Sequence, residues 1–167
     1  PLKLCYNENV LRRVDRTGGG GSEVLQIGAE LITEKPGAEA DAEMIIMAIE
    51  SLMAAGVKDF KIDIGDVGFL KGVIKRLEVG DAQKKTIMEL IAAKDSSGLE
   101  AALNKLSGDI KHGDRKLLIA LTTFYGEDEV IKKARSLVGD AALQTSLDNI
   151  QNVLDIISKK GYKSTIM

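Results

Sequence analysis

The sequence predicts an α+β protein in which antiparallel strands come first and a long run of helices follows. Three observations carry this expectation. Leu2, Leu4 and Tyr6 alternate with Lys3, Cys5 and Asn7, and residues 23–32 repeat the two-residue period of half-buried strands. The run Gly18-Gly19-Gly20-Gly21-Ser22 breaks the chain between them. From about 67 to 160, apolar residues recur at helical spacing, with short breaks at Gly, Asp and Ser.

Taken in order, residues 2–7 form a first strand and Val10 to Val14 supplies a second short run, followed across the glycines by a long strand over 23–32. Pro36-Gly37 closes this unit. Residues 38–55 form a helix with Ile45, Ile49 and Leu52 on one face, and Gly56 stands as its C-terminal stop. Phe60, Ile62 and Ile64 alternate with Lys61 and Asp63 as a further half-buried strand, and Gly65-Asp66-Val67-Gly68 turns the chain into the helical region. There, Ile87, Leu90 and Ile91 mark one apolar stripe, and Val130, Ala134 and Leu137 another. Leu143, Leu147, Ile150, Leu154 and Ile157 follow at coiled-coil-like spacing, which is expected to pack helix on helix. Gly161 ends that helix, and residues 162–167 begin a strand. Pro1 opens in an apolar, strand-like run and Met167 closes in one, as expected of a fragment.

Composition bounds the function. The net charge of −2 gives no basic field to hold a phosphate backbone, and aromatics at 4% with no Trp leave few stacking platforms for bases. A broad nucleic-acid surface is therefore not expected, though composition leaves room for a small RNA-contacting patch. Cys5 is the sole cysteine, so no internal disulfide and no Cys/His metal cluster is expected, and it is read as a small filler in a strand. His112 falls in the loop-like stretch Lys111-His112-Gly113-Asp114 and is read as a solvated turn residue. No signal peptide and no bilayer-length apolar run is evident, which points to the cytoplasm.

The informative stretch is residues 24–32. On a strand, Leu25, Ile27, Ala29 and Leu31 share one face and are expected to pack on a helix, while Gln26, Gly28 and Glu30 share the other. Gly28 would leave space between an amide and a carboxylate, the floor of a pocket for a small zwitterionic or imidazole-bearing ligand. A solvated sheet face has the same pattern. Arg12 and Arg13 precede the glycine run, and one of them should point to the face of Gln26, where a guanidinium holds phosphate or carboxylate. A surface salt bridge to Asp15 or Glu23 is the alternative.

Asn9-Val10-Leu11-Arg12-Arg13, a loop, and then Leu25-Gln26-Ile27-Gly28-Ala29-Glu30-Leu31-Ile32 resembles motif 2 of the class II aminoacyl-tRNA synthetases in its histidyl form. The flanks continue that motif in register, so the Gly-rich run is read as a native hairpin loop and not an inserted linker. Ala40-Asp41-Ala42-Glu43 resembles the helix start that follows motif 2 in that group. The resemblance covers essentially the whole chain. It implies a partial synthetase-like antiparallel sheet with the motif 2-like hairpin over 1–70, a helical insertion over 71–140, and a return helix with the start of a sheet strand over 141–167. By the same resemblance, Arg12 falls on the arginine that contacts the ATP α-phosphate, and Gln26 and Glu30 on positions lining the histidine pocket.

The departures are one-sided. Val14 stands where an acid is expected, the late loop arginine is replaced within Gly20-Gly21-Ser22, and Val24 stands where an aromatic stacks on adenine. The adenylate half of the site is thus dismantled, and part of the amino-acid half is kept. This pattern resembles the regulatory subunits of ATP phosphoribosyltransferase, as do Gly65-Asp66-Val67-Gly68-Phe69 (with Asp66 where His is usual) and Phe124-Tyr125-Gly126 before Val130. What that implies is a non-catalytic protein with no cofactor, metal ligand or catalytic residue. It would activate a catalytic ATP phosphoribosyltransferase subunit in a hetero-oligomer, self-associate as a dimer, and retain Gln26, Glu30, Gly28 and Arg12 as a histidine-like pocket. Histidine sensing is compatible with this reading but not required by it. The alternatives are a fragment of a histidyl-tRNA synthetase, which is an enzyme, and a helical interaction module without a ligand.

Overall fold

The computed structural model describes residues 1–12, 22–106, 110–124, 126 and 128–166. Arg13, Val14, Asp15, the glycines at 18–21, Tyr125 and Met167 lie outside the described residues.

Strand β1 (Leu2–Leu11) and strand β2 (Glu23–Ile32) form an antiparallel pair in which Tyr6 faces Gly28, Glu8 faces Gln26 and Leu4 faces Glu30. The first strand is therefore one continuous element where the sequence suggested two short runs. Val10 and Leu11 keep the ladder going, since nothing between Asn7 and Val10 removes a backbone donor. Cys5 is exposed and is not a filler in the core. Among the described residues seven helices follow: α1 (Ala38–Ala54), α2 (Val67–Lys75), α3 (Asp81–Ala92), α4 (Ser96–Lys105), α5 (His112–Leu121), α6 (Asp128–Leu137) and α7 (Ala141–Lys159). A short 3-10 turn, Lys163–Thr165, precedes the last described residue.

Aspartates start three of the helices. Asp66 accepts from Phe69 N at 2.6 Å, Asp95 from Gly98 N at 2.8 Å, and Asp140 from Ala142 N at 2.8 Å. Each carboxylate satisfies first-turn N–H groups that have no helical partner and sits at the positive end of the helix dipole. The Asp breaks in the helical pattern are thus caps. Helices α1 and α7 end in the reverse way. Gly56 and Gly161 adopt φ of +85° and +91°, and Val57 N and Tyr162 N donate back to Leu52 O and Ile157 O. That is the Schellman closure, for which glycine carries no Cβ penalty. His112 is the first residue of α5 and not a loop residue. Two positions on, Asp114 is only 6% exposed and pairs with Arg76 at 2.8 Å, tying the start of α5 to the end of α2.

Two apolar clusters make the core. The larger joins α2 to α6 with the first half of α7, through buried residues that include Val73, Leu99, Leu103, Leu118 and Leu147. The smaller joins Ala38, Ala42 and Ile49 of α1 to Val153 and Ile157 of α7, with Phe60, Ile62, Ile64 and Ile166 packed around them. The expected stripe on α1 shifts accordingly. Leu52 is exposed, and the two alanines let α1 approach α7 closely. The single stripe expected on α7 is really two, with Leu143 and Leu147 in the larger cluster and Val153 and Ile157 in the smaller. The expected strand around Ile62 reduces to one parallel bridge to Ile166, although Phe60, Ile62 and Ile64 keep the alternating half-burial of a strand.

Beyond the Schellman turn, the Tyr162 hydroxyl donates to Glu50 Oε1 at 2.8 Å, linking the end of α7 to α1. The hydrogen bond to Glu50, then burial, then the Glu50 charge raise the Tyr162 pKa above its ordinary value of 10.0. A raised pKa means the neutral phenol is favoured in the folded state. Its contribution is complete below pH 10 and is lost as pH rises through the folded-state pKa. Thermal melts from pH 8 upward should show Tyr162→Phe less stable than the parent at first, with the gap closing as the phenol ionises. In urea titrations Ile157→Ala, at a fully buried site, should cost about 2–5 kcal/mol. Asp66→Ala should cost about 1 kcal/mol through the lost cap.

Candidate functional site

The face of the hairpin that carries Gln26, Gly28 and Glu30 also carries Tyr6, because register partners in an antiparallel pair project to the same side. Tyr6 stands opposite Gly28, and its ring lies where a Cβ on Gly28 would sit. The floor expected to be open is therefore covered by an aromatic ring, and the glycine is needed for that ring to occupy this position. Tyr6 is the residue that the sequence reading left out of the site. Its signal was present, since pairing the two strands antiparallel puts Tyr6 against the one position without a side chain.

A hydrogen-bonded chain runs along this face. Arg12 follows the end of β1, where its N–H donates to Ser22 O at 2.7 Å and continues the ladder by one rung. Its Nη2 donates to Gln26 Oε1 at 2.5 Å, and Gln26 Nε2 donates to the Tyr6 hydroxyl. The amide thus uses its acceptor on the guanidinium and a donor on the phenol, which fixes both the arginine and the aromatic ring. No side-chain ion pair of Arg12 with Glu23 is formed. The structure brings together Arg12, Gln26 and Gly28, the last through Tyr6. Glu30 shares their face but is exposed, roughly 13 Å along the strand from Gln26 at four residues' rise. Cation and anion therefore flank an aromatic surface, an arrangement suited to a planar or zwitterionic ligand lying over the ring.

The opposite face departs from expectation. Leu25 and Ile27 are 67% and 78% exposed and pack on no helix. Only the other end of β2 is covered, where Ala29 and Leu31 are half-buried and Lys3, the register partner of Leu31, is ion-paired to Glu43 of α1. Val24, at the position where an adenine-stacking aromatic would stand, is also exposed. Among the described residues, no group of three or more His, Cys, Asp or Glu side chains could hold a metal ion, and no helix is long and apolar enough to cross a membrane.

An antiparallel hairpin with a polar face, followed by a packed helical array, fits a class II synthetase-like α+β fold. The chain belongs to the histidyl-tRNA synthetase family, whose model matches residues 1–166. Relatives named as ATP phosphoribosyltransferase regulatory subunits align with almost all of it. That of Syntrophotalea carbinolica is 38% identical over 99% of this chain and 38% of its own length. That of Thermoanaerobacter pseudethanolicus is 36% identical over 99% of this chain and 43% of its own, and that of Clostridium botulinum 31% identical over 99% and 39%. A crystal structure described as an ATP phosphoribosyltransferase regulatory subunit/histidyl-tRNA synthetase from Bacillus halodurans superposes with a TM-score of 0.86 at 25% identity, covering 99% of this chain and 42% of that one. The chain spans about two fifths of the length of the curated relatives it matches.

The Tyr6–Gly28 packing leads to a direct expectation. Gly28→Val must eject the Tyr6 ring and break the Gln26 hydrogen bond, whereas Gly28→Val combined with Tyr6→Ala removes the clash. The double variant should therefore melt at a higher temperature than the Gly28→Val single variant, and equal melting would show that the ring does not depend on the glycine.

Proposed function

We propose that this chain is the portion of an ATP phosphoribosyltransferase regulatory subunit that carries its synthetase-like hairpin and helical insertion, the latter over 71–140. The protein is non-catalytic and activates a separate catalytic subunit in the first step of histidine biosynthesis, in the cytoplasm. The observation that carries this reading is the run of relatives bearing that name that match along nearly all of this chain. The hairpin supports it. Val14 stands where a synthetase carries an acid, no arginine occupies the late loop, and Val24 offers no ring to adenine. Without those groups the nucleotide loses charge pairing and stacking that adenylate formation draws on.

The retained polar face suits histidine. In this reading the imidazole lies against Tyr6, Gln26 and Arg12 hold one end of the ligand, and Glu30 meets a protonated nitrogen at the other. The parent self-associates as a dimer within the hetero-oligomer, and tRNA is not among its partners.

The test is to titrate the complete parent into its catalytic partner and follow phosphoribosyl transfer. Turnover should rise to a plateau while the parent alone stays inactive. Unchanged turnover overturns the proposal, as does histidine-dependent pyrophosphate exchange by the parent, which would make it a synthetase. Calorimetry with histidine examines the ligand face separately. Glu30→Gln should weaken binding roughly ten- to hundredfold, from the loss of one charge-assisted hydrogen bond of about 1.5–3 kcal/mol.

A further inference from the structure

We infer that the seam between the two apolar clusters holds a second binding site, for a small amphipathic cation with an apolar body and one protonated amine. A cavity of about 440 Å³ opens there, within the range of roughly 300–1,000 Å³ typical of small-ligand sites. Its walls include Phe69 and Leu70 of α2, Ile131 and Ala134 of α6, and Leu147 and Leu154 of α7. These side chains belong to the larger cluster, while Ile64 and Ile166, on the far side, belong to the smaller. Packed interiors hold few voids larger than a water molecule, so apolar space of this size between two cores favours an apolar occupant.

The charged lining residues select the head group. Asp63, Asp66 and Asp155 line the cavity together with Lys94 and Lys163. All but the half-buried Asp66 are exposed, so they edge the opening while the apolar walls lie within. Among the described lining residues, three carboxylates stand against two ammonium groups. Asp66 is occupied in capping α2 and Asp155 accepts from Gln151 Nε2 at 3.0 Å. Among the described residues, no side chain or N–H engages the Asp63 carboxylate. Asp63 therefore offers its charge to a ligand at no cost to an existing contact, and a cation is the partner that gains from it.

The site is separate from the hairpin face and from the proposed regulatory role, so it is tested on the full chain with no partner present. The probes are n-octylamine, n-octanol and octanoate, below their micellar concentrations, titrated by calorimetry. Octylamine should bind one to one. Asp63→Asn should weaken it about two- to fivefold, the worth of an exposed ion pair, and leave octanol unchanged. Ile150→Trp places a ring in the cavity and should abolish binding, and because the chain has no other Trp, its blue-shifted emission reports that the ring is buried and the fold kept. No saturable octylamine binding overturns the inference. So does octanoate binding as tightly as octylamine, or undiminished binding to an Ile150→Trp variant whose emission is blue-shifted.

Discussion

Helix α7 buries two faces at once, and the rest of the helical structure hangs on that. Leu143, Leu147, Ile150 and Leu154 recur at spacings of four, three and four and project to one side. Val153, Ile156 and Ile157 lie roughly a quarter-turn round the helix, from 100° per residue. The first set completes the cluster built by α2 to α6, and the second completes the one built by α1 and the segment around Ile62. Each buried aliphatic contributes about 1.5–3 kcal/mol, so neither cluster reaches its full burial without this helix. The device at each end is local. Asp140 holds the first turn and Gly161 releases the chain after the last, so α7 has the length that spans both clusters.

The hairpin is organised on a different principle. Little of it is buried, and its order comes from the ladder and from one exchange of volume across it, in which the missing side chain of Gly28 makes room for Tyr6. That ring is then held at its hydroxyl by Gln26, whose acceptor is held by Arg12. A site built this way is preorganised by hydrogen bonds rather than by packing. It presents a fixed aromatic surface with a cation at one end, which suits recognition of a small ligand better than chemistry upon it.

These two modes of construction explain how a chain can keep a synthetase family's fold independently of synthetase chemistry. A fold can be kept by its clusters and caps while the side chains that hold a nucleotide are replaced, because exposed positions such as Val24 contribute little to stability. Among the described residues, the helical half and the hairpin half are joined through the contact of α1 with the covered end of β2 and the α1–α7 packing beyond it.

The sequence by itself determined most of the elements, though not the extent of β1 or the reduction of the expected strands around Ile62 and Ile166 to a single bridge. The alternation over 2–7 and 23–32, the glycines after α1 and α7, and the Asp breaks between helices are local signals, each set by the chain within a few residues. It also determined which residues share the Gln26 face, since strand parity allows no other choice. What it left undecided depended on partners distant in sequence. Pairing Tyr6 with Gly28 closed the expected floor. Leu25 and Ile27 stayed exposed because α1 reaches only the far end of the strand, and Ile157 turned toward α1 instead of continuing the stripe begun at Leu143. The pairing of Arg76 with Asp114 and the cavity at the seam were equally invisible. Period and parity fix the direction of a side chain along its own element, but only tertiary packing decides what, if anything, it meets there.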